Sequence, residues 1–476
     1  MMEKVVDLNR WQKAHVKSQQ ELQALFDEMG GLYQSEPYAS LSNRLARLQK
    51  LKLALLRFQP QLVQALGEDF GYRSEFDSTI CDLLPAVEHI NYTVKHLRKW
   101  MKPKRRRAGL MLTPSKLEVV YQPLGVVGVI VPWNFPIFLS IGPIVTALAA
   151  GNRVMVKLSE HTPNTNQVLS QVLAELESYV FVVEGEVEIA EYFSQLPFDH
   201  LLFTGSTKVG KLVAEQAARN LTPVTLELGG KSPVIIAPDA DLDKAVDAIL
   251  MGKSINAGQI CVAPDYVLLP EEKQQQFVDI YLRRFSQLFI ETGQPLTQII
   301  NEAQFERLKS YIEDAREKGA QIHTLEQPVA DGVMLPHLLT DLSEGMLVMK
   351  EEIFGPILPI VGYRHIHQVF EYIENKPRPL ALYLMSNDSN LIEQVRTQTH
   401  SGGLAVNDTL LHVSAKDAPF GGIGQSGMGH YHGVEGFQTF SKAKTVLTTP
   451  SWLPRSRWLL ERQIQFKQLL SKLFLR

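Results

Sequence analysis

Cysteine is nearly absent: only Cys81 and Cys261 occur in 476 residues. Two thiols exclude a disulfide framework and a multi-cysteine metal cluster, and the usage fits a reducing, cytoplasmic compartment. A surplus of either charge is also lacking, since 48 Lys plus Arg face 51 Asp plus Glu for a formal net charge of −3. That balance speaks against a nucleic-acid partner, whose binders usually carry a strong basic excess. Residues 1–10 lack the basic start and apolar run of a secretion signal, so no export is expected and the mature chain is expected to begin near Met1. One uncharged stretch, residues 123–151, is longer than the ~20 residues a bilayer core requires. Pro132, Asn134, Pro136 and Pro143 interrupt it, so it predicts a buried strand over 126–131, a polar loop and a helix instead of a membrane span. No repeat with a period of ~20 to 50 residues is evident, which argues against solenoids and propellers.

What is present is a globular balance, 45% hydrophobic and 21% charged, in a length that suits about three structural units. Residues 22–98 read as helices, with apolar spacing at Leu41, Leu45, Leu48, Leu51, Leu55 and Leu62. The basic segment 98–107 has two readings, phosphate or lipid contact and, more simply, a solvated loop. Beyond it, short apolar runs at 126–131, 153–157, 179–183 and 200–203 alternate with helical patterns. Parallel strands need long crossovers that cover both faces, so this alternation predicts a nucleotide-binding α/β domain. After residues 237–241 a second series, at 266–269, 357–361, 380–385 and 403–406, predicts a second α/β domain.

Four places carry candidate chemistry. The turn 204–210 after the strand 200–203 has Gly205, Ser206 and Gly210 before a helix read as 211–219, a place where free N–H groups could hold a pyrophosphate. Without the middle glycine of the dinucleotide fingerprint, a plain strand-to-helix turn explains it as well. Cys261, among small and polar residues in 256–262, is a candidate nucleophile or a buried inert thiol; Cys81, in a helical stretch, takes the inert reading. Glu227, inside an apolar run before Gly229 and Gly230, is a candidate base toward water or a surface acid at a strand end. Asn134, in a loop stiffened by Pro132 and Pro136, could offer its amide to an oxyanion or cap the following helix.

Taken together, seven segments in this order resemble the aldehyde dehydrogenase superfamily over almost the whole chain: 132–136, 157–160, 203–210, 226–230, 258–261, 352–356 and 419–422. The resemblance implies an α/β fold with a Rossmann-like cofactor domain, a second α/β catalytic domain and a small oligomerisation strand region. The corresponding boundaries are 1–228, 229–410, 411–450 and an amphipathic basic tail at 451–476. It implies oxidation of an aldehyde to the acid with NAD, with Cys261 as nucleophile, Asn134 and the Cys261 N–H as oxyanion hole, and Glu227 activating water. For the cofactor it implies Lys157 and Glu160 at the adenosine ribose, and Gly205, Ser206 and Gly210 at the pyrophosphate. Trp133, Leu228, Glu352 and Phe354 complete that set, with Glu352 and Phe354 at the nicotinamide ribose and ring. Glu160 would repel an added phosphate and so favours NAD, with NADP use left open. Lys157 is followed by Leu158 where the family commonly has proline.

Within the superfamily, 91–93 and 426–433 resemble the branch of fatty-aldehyde and coniferyl-aldehyde dehydrogenases, and 98–103 and 436–440 lean to the coniferyl type. The implied substrate is a medium-to-long aliphatic or aromatic aldehyde. The implied assembly is a homodimer through strands near 117–122 and 445–449. His430 and His432 lie in a glycine-rich loop without a third ligand, so no metal is expected. Phe466, Leu469, Leu470, Leu473 and Phe474 trace an amphipathic helix in a tail with a local excess of five positive charges. Peripheral contact with an anionic membrane and docking on protein are both open for it. The competing functions are a non-catalytic protein that keeps the fold and a thiol hydrolase that needs no nucleotide.

Overall fold

A computed structural model describes residues 14–16 and 18–475. The amino-terminal reading over residues 1–10, and Arg476 of the tail, lie outside the described residues. Four helices, Gln19–Ser35, Leu41–Arg57, Gln59–Asp69 and Leu84–Trp100, form the helical region that the leucine spacing predicts. The uncharged stretch resolves into the strand Val126–Ile130, a loop, and the helix Phe138–Ala150, every residue of which is buried. That helix ends at Gly151, whose φ of 98° is the left-handed conformation glycine adopts without a Cβ clash. No described helix is long and apolar enough to cross a membrane.

Two seven-stranded sheets organise the chain. In the first, the strand order is Ala14–His15, Val180–Glu184, Arg153–Lys157, Val126–Ile130, His200–Gly205, Val224–Leu228 and Gly427–Met428. All neighbours are parallel except the last pair, in which Gly427 lies opposite Glu227. In the second the order is Gln321–His323, His337–Thr340, Ile357–Tyr363, Tyr266–Pro270, Pro233–Ile236, Ala381–Met385 and Gly403–Val406. Only the first pair there is antiparallel. The central strands are near-continuous Val, Ile and Leu because both faces are covered by helices. This is the α/β fold expected from the alternation of strands and helices.

A third sheet of three strands, Ser441–Thr448, Lys116–Pro123 and Lys104–Arg106, pairs antiparallel. Part of the basic segment read as a solvated loop is therefore an edge strand. Charged side chains are compatible with that position because an edge strand leaves one side to water. A second difference concerns the helix after His200–Gly205, which begins at Thr207 and not at 211. Ser206 caps it by accepting from the Val209 N–H at 3.3 Å, so the whole glycine turn after Ser206 is already helical.

Candidate active site

Long-range contacts assemble the site from loops at the ends of the parallel strands, where open α/β sheets bind ligands. Asn256 and Ala257 hold left-handed φ values of 49° and 51°, followed by Gly258 at 73°. A Cβ at Gly258 would come within 2.8 Å of the Gly355 carbonyl oxygen, so this turn needs glycine. The strain is held by partners: the Asn256 N–H donates to Asp77 Oδ2 at 3.0 Å, and Gln259 Nε2 donates to the carbonyls of Asn256 and Gln298. The turn delivers Cys261 beside Asn134, whose Nδ2 donates to the Gln259 carbonyl at 3.0 Å. Asn134 does not cap the helix that follows it. That end is held by Asp82, whose Oδ1 accepts from the Phe138 N–H at 2.6 Å.

Glu227 sits on the strand Val224–Leu228 with only 3% of its surface exposed, which removes the reading as a surface acid. Its Oε1 has no hydrogen-bond partner, and burial pushes its carboxyl well above the ordinary value. The Cys261 thiol is also pushed up, first by burial and then by the charges of Glu227 and Glu352, although the residue keeps some exposed surface. Cys81 is half-buried, not fully buried as read, and burial holds its thiol up to about 12.

Two cavities meet at these residues. The first, of about 660 Å³, is lined by Trp133, Gly205, Ser206, Glu227, Glu352 and Phe354, among others. The second, of about 780 Å³, has mainly apolar walls that include Phe135, Phe138, Leu288, Leu410 and Phe420. Asn134, Leu139 and Cys261 line both. Cys261 therefore has access from two sides.

The first cavity has the features of a dinucleotide cleft. The N-terminus of the helix Thr207–Ala218 opens on it, a place that favours phosphate oxygens. Gly210 and Leu228 do not line it but seat that helix: a Cβ at Gly210 would lie 2.5 Å from Leu228 Cδ2. Farther along, Phe354 at φ 49° packs edge-on against Trp133 with ring centroids 5.4 Å apart. Glu352 Oε1 is buried without a partner, and burial with the charge of Asp265 raises this carboxyl to about 8. A Cβ at Gly229 would collide with it, so Gly229 clears room for the carboxylate. Asp265 fixes the segment by accepting from the Ile353 N–H at 2.9 Å while paired with Lys231.

At the other end, Lys157 Nζ lies 3.3 Å from Glu160 Oε2 and donates to the Leu158 carbonyl at 2.7 Å. Leu158 itself donates its N–H to the Val183 carbonyl at 3.2 Å, a bond proline could not make. A small cavity of about 230 Å³ there is lined by Glu160, Glu184 and Glu186. The last two were not singled out in the sequence, where Glu-Gly-Glu reads as an ordinary polar loop. Among the described residues, no three His, Cys, Asp or Glu side chains are placed to hold a metal ion.

Comparison with known proteins gives concordant matches. The profile of the aldehyde dehydrogenase family matches residues 9–446. A probable coniferyl aldehyde dehydrogenase of Pseudomonas aeruginosa is 50% identical over 444 residues, covering 91% of this chain and 93% of that protein. A substrate-bound Staphylococcus aureus AldH superimposes with a TM-score of 0.86 at 35% identity, covering 91% of this chain and 95% of the other. The NAD+ complex of an aldehyde dehydrogenase from Bacillus cereus superimposes with a TM-score of 0.83 at 27% identity, covering 90% and 89%.

Proposed function

The chain belongs to the aldehyde dehydrogenase family, and from that premise we propose that it oxidises an aromatic aldehyde to the carboxylic acid through a covalent intermediate on Cys261. The observation that carries the reading is that Cys261 lies where a dinucleotide-shaped cleft and an apolar cavity meet. The cofactor is NAD(P), which supplies the hydride acceptor when bound in the first cavity. The orphaned carboxylate oxygen of Glu352, the Trp133–Phe354 pair and the helix N-terminus at Ser206 fit a ribose, a planar ring and a pyrophosphate.

In this reading the Cys261 thiol gives up its proton to solvent, and its sulfur adds to the aldehyde carbon to form a thiohemiacetal. Asn134 Nδ2 and the Cys261 N–H donate to the resulting oxyanion; losing one such donor typically costs ~3 kcal/mol. Loss of hydride from the same carbon leaves a thioester on Cys261. Glu227 then takes a proton from water, which attacks the thioester carbon and releases the acid and the thiol. The apolar walls of the second cavity and the name of the Pseudomonas aeruginosa relative both favour an aryl side chain over a plain aliphatic one.

The carboxylates of Glu160, Glu184 and Glu186 would oppose a phosphate on the adenosine ribose. A panel of aryl and aliphatic aldehydes with NAD and NADP tests both statements. NAD is expected to exceed NADP in kcat/KM by about tenfold or more, a modest electrostatic difference. Glu160→Gln is expected to narrow that ratio, chiefly through the KM for NADP and its equilibrium binding. No NADH from any aldehyde, with nucleotide still bound, would remove the oxidation reading.

The outer edge of Ser441–Thr448 has no partner strand among the described residues, and we propose that it joins a second copy in a homodimer. The tail helices Arg455–Glu461 and Gln463–Phe474 bury no residue, and Ile464, Leu473 and Phe474 are exposed. Arg455 ties the tail to the core by donating to the Leu112 carbonyl at 2.6 Å, close to exposed Leu110 and Met111. Apolar side chains among Arg457, Arg462, Lys467 and Lys472 suit an anionic bilayer surface. Full-length protein is expected to co-sediment with vesicles of phosphatidylcholine and phosphatidylserine, and protein lacking 451–476 is not. Equal sedimentation of both, or a tail deletion that instead dissociates dimers, would reject the membrane surface.

A further inference from the structure

We propose that the second cavity holds a polar subsite, built from Lys416 and His432, that binds an oxygen on the end of the aldehyde remote from the reacting carbonyl. This deepens the oxidation reading and rests on it. The cavity walls are mainly apolar, yet Lys416 Nζ and both ring nitrogens of His432 are buried with no hydrogen-bond partner, and the neighbouring Tyr431 hydroxyl is likewise unpaired. His432 is 1% exposed and Tyr431 0%. Buried polar atoms are nearly always paired, because leaving one unpaired forfeits its bonds to water without return. Several together at one cavity wall point to a partner that arrives with the ligand.

Their arrangement suits an aromatic one. Lys416 Nζ stands 4.8 Å from the ring centroid of Phe138. Phe138 meets the His432 ring edge-on at 5.9 Å, His432 stacks on Phe420 at 5.6 Å, and Tyr431 meets it edge-on at 4.6 Å. Phe138 and Phe420 thus offer apolar surface beside the unpaired nitrogens, while Tyr431 faces the reacting end, within electrostatic reach of Glu227 and Cys261. Behind His432 stands His89, whose Nε2 is paired with Thr146 Oγ1 at 2.9 Å while its Nδ1 has no partner. Glu88 is the carboxylate that acts on Lys416.

Burial lowers Lys416 to about 8, which leaves much of it charged at neutral pH. Two kinds of ligand fit poorly. A metal would need three converging ligands, and no such group occurs among the described residues. A hydrocarbon aldehyde would leave every one of these atoms unpaired. A ring hydroxyl or phenolate pairs Lys416 and His432: its oxygen accepts from Lys416 Nζ, and its proton, where present, goes to whichever His432 nitrogen is the acceptor.

The test compares cinnamaldehyde with 4-hydroxycinnamaldehyde at saturating NAD. Wild-type protein is expected to favour the hydroxylated substrate by about tenfold or more in kcat/KM, mostly through KM, as a hydrogen bond to a charged group implies. Lys416→Met and, separately, Lys416→Gln and His432→Phe are expected to bring that ratio toward one. A wild-type ratio near one, or a ratio retained in all three variants, overturns the proposal. Calorimetric titration of cinnamate and 4-hydroxycinnamate into the wild-type protein and the Cys261→Ala protein reads the same preference without turnover. Equal binding of the two acids also overturns it, whereas unequal binding without NADH formation would reject the oxidation reading alone.

Discussion

Replacing Cys261 by alanine is expected to abolish NADH formation, by ~10³-fold or more, while leaving NAD binding in place. The expectation follows from the sulfur being the atom that both cavities reach: without it the aldehyde has no tetrahedral adduct from which hydride can leave. Stopped-flow absorbance of NADH measures the loss, and fluorescence titration of NAD confirms that the cleft is intact. Cys81 makes the result informative, because it is the second thiol lining the apolar cavity. Burial raises both thiols, so position separates them: Cys261 lines both cavities, and Cys81 lines only the apolar one. Should Cys81→Ala abolish turnover and Cys261→Ala leave it intact, the nucleophile has been assigned to the wrong sulfur.

Glu227→Gln is expected to separate the two halves of the reaction. Amide and carboxylic acid are nearly isosteric, so the buried strand position is preserved, but the amide cannot take a proton from water. A single burst of up to one NADH per active site followed by a steady rate reduced by ~10²- to 10⁴-fold is expected, with the acylated thiol visible by mass spectrometry. If Glu227 also relays the thiol proton, the burst itself slows, which rapid mixing resolves.

The direction of the pH dependence follows from the burial of this group. Its carboxyl is raised well above the ordinary value, so the neutral form prevails at low pH and the basic form appears only as pH rises. The wild-type steady rate is therefore expected to climb with pH on its acid side, and that limb is expected to vanish in Glu227→Gln. A full steady rate in the variant, or an unchanged acid limb, would remove Glu227 from the base role.

Much of the scaffold was legible in the chain because its signals are local. Runs such as 126–130 and 266–269 are Val, Ile and Leu with a Gly or Tyr, and a strand buried on both faces demands little else. The helix start was misplaced because Ser206 supplies a cap that makes the turn itself helical. The strand Lys104–Arg106 was missed because its pairing with residues 117–119 is what makes it a strand, and a cation run has no strand propensity of its own.

The site divides in the same way. Each of Asn134, Glu227 and Cys261 had a bland local explanation, and the order of seven motifs was what set those aside. Tertiary structure decided what no neighbour in sequence could. It placed Asn134 against Gln259 across 125 positions, buried Glu227 between strands so that its proton affinity rises, and opened an apolar cavity on the far side of Cys261. It also took His432, one of two histidines in a glycine-rich loop, and set it beside Lys416, His89 and two phenylalanine rings. The sequence by itself determined most of the buried strands and the order of the motifs, because propensity and motif spacing are properties of the chain. The meeting of the two cavities at one sulfur and the unpaired Lys416 and His432 nitrogens were decided only on folding, because burial and distance arise from packing residues that are remote along the chain.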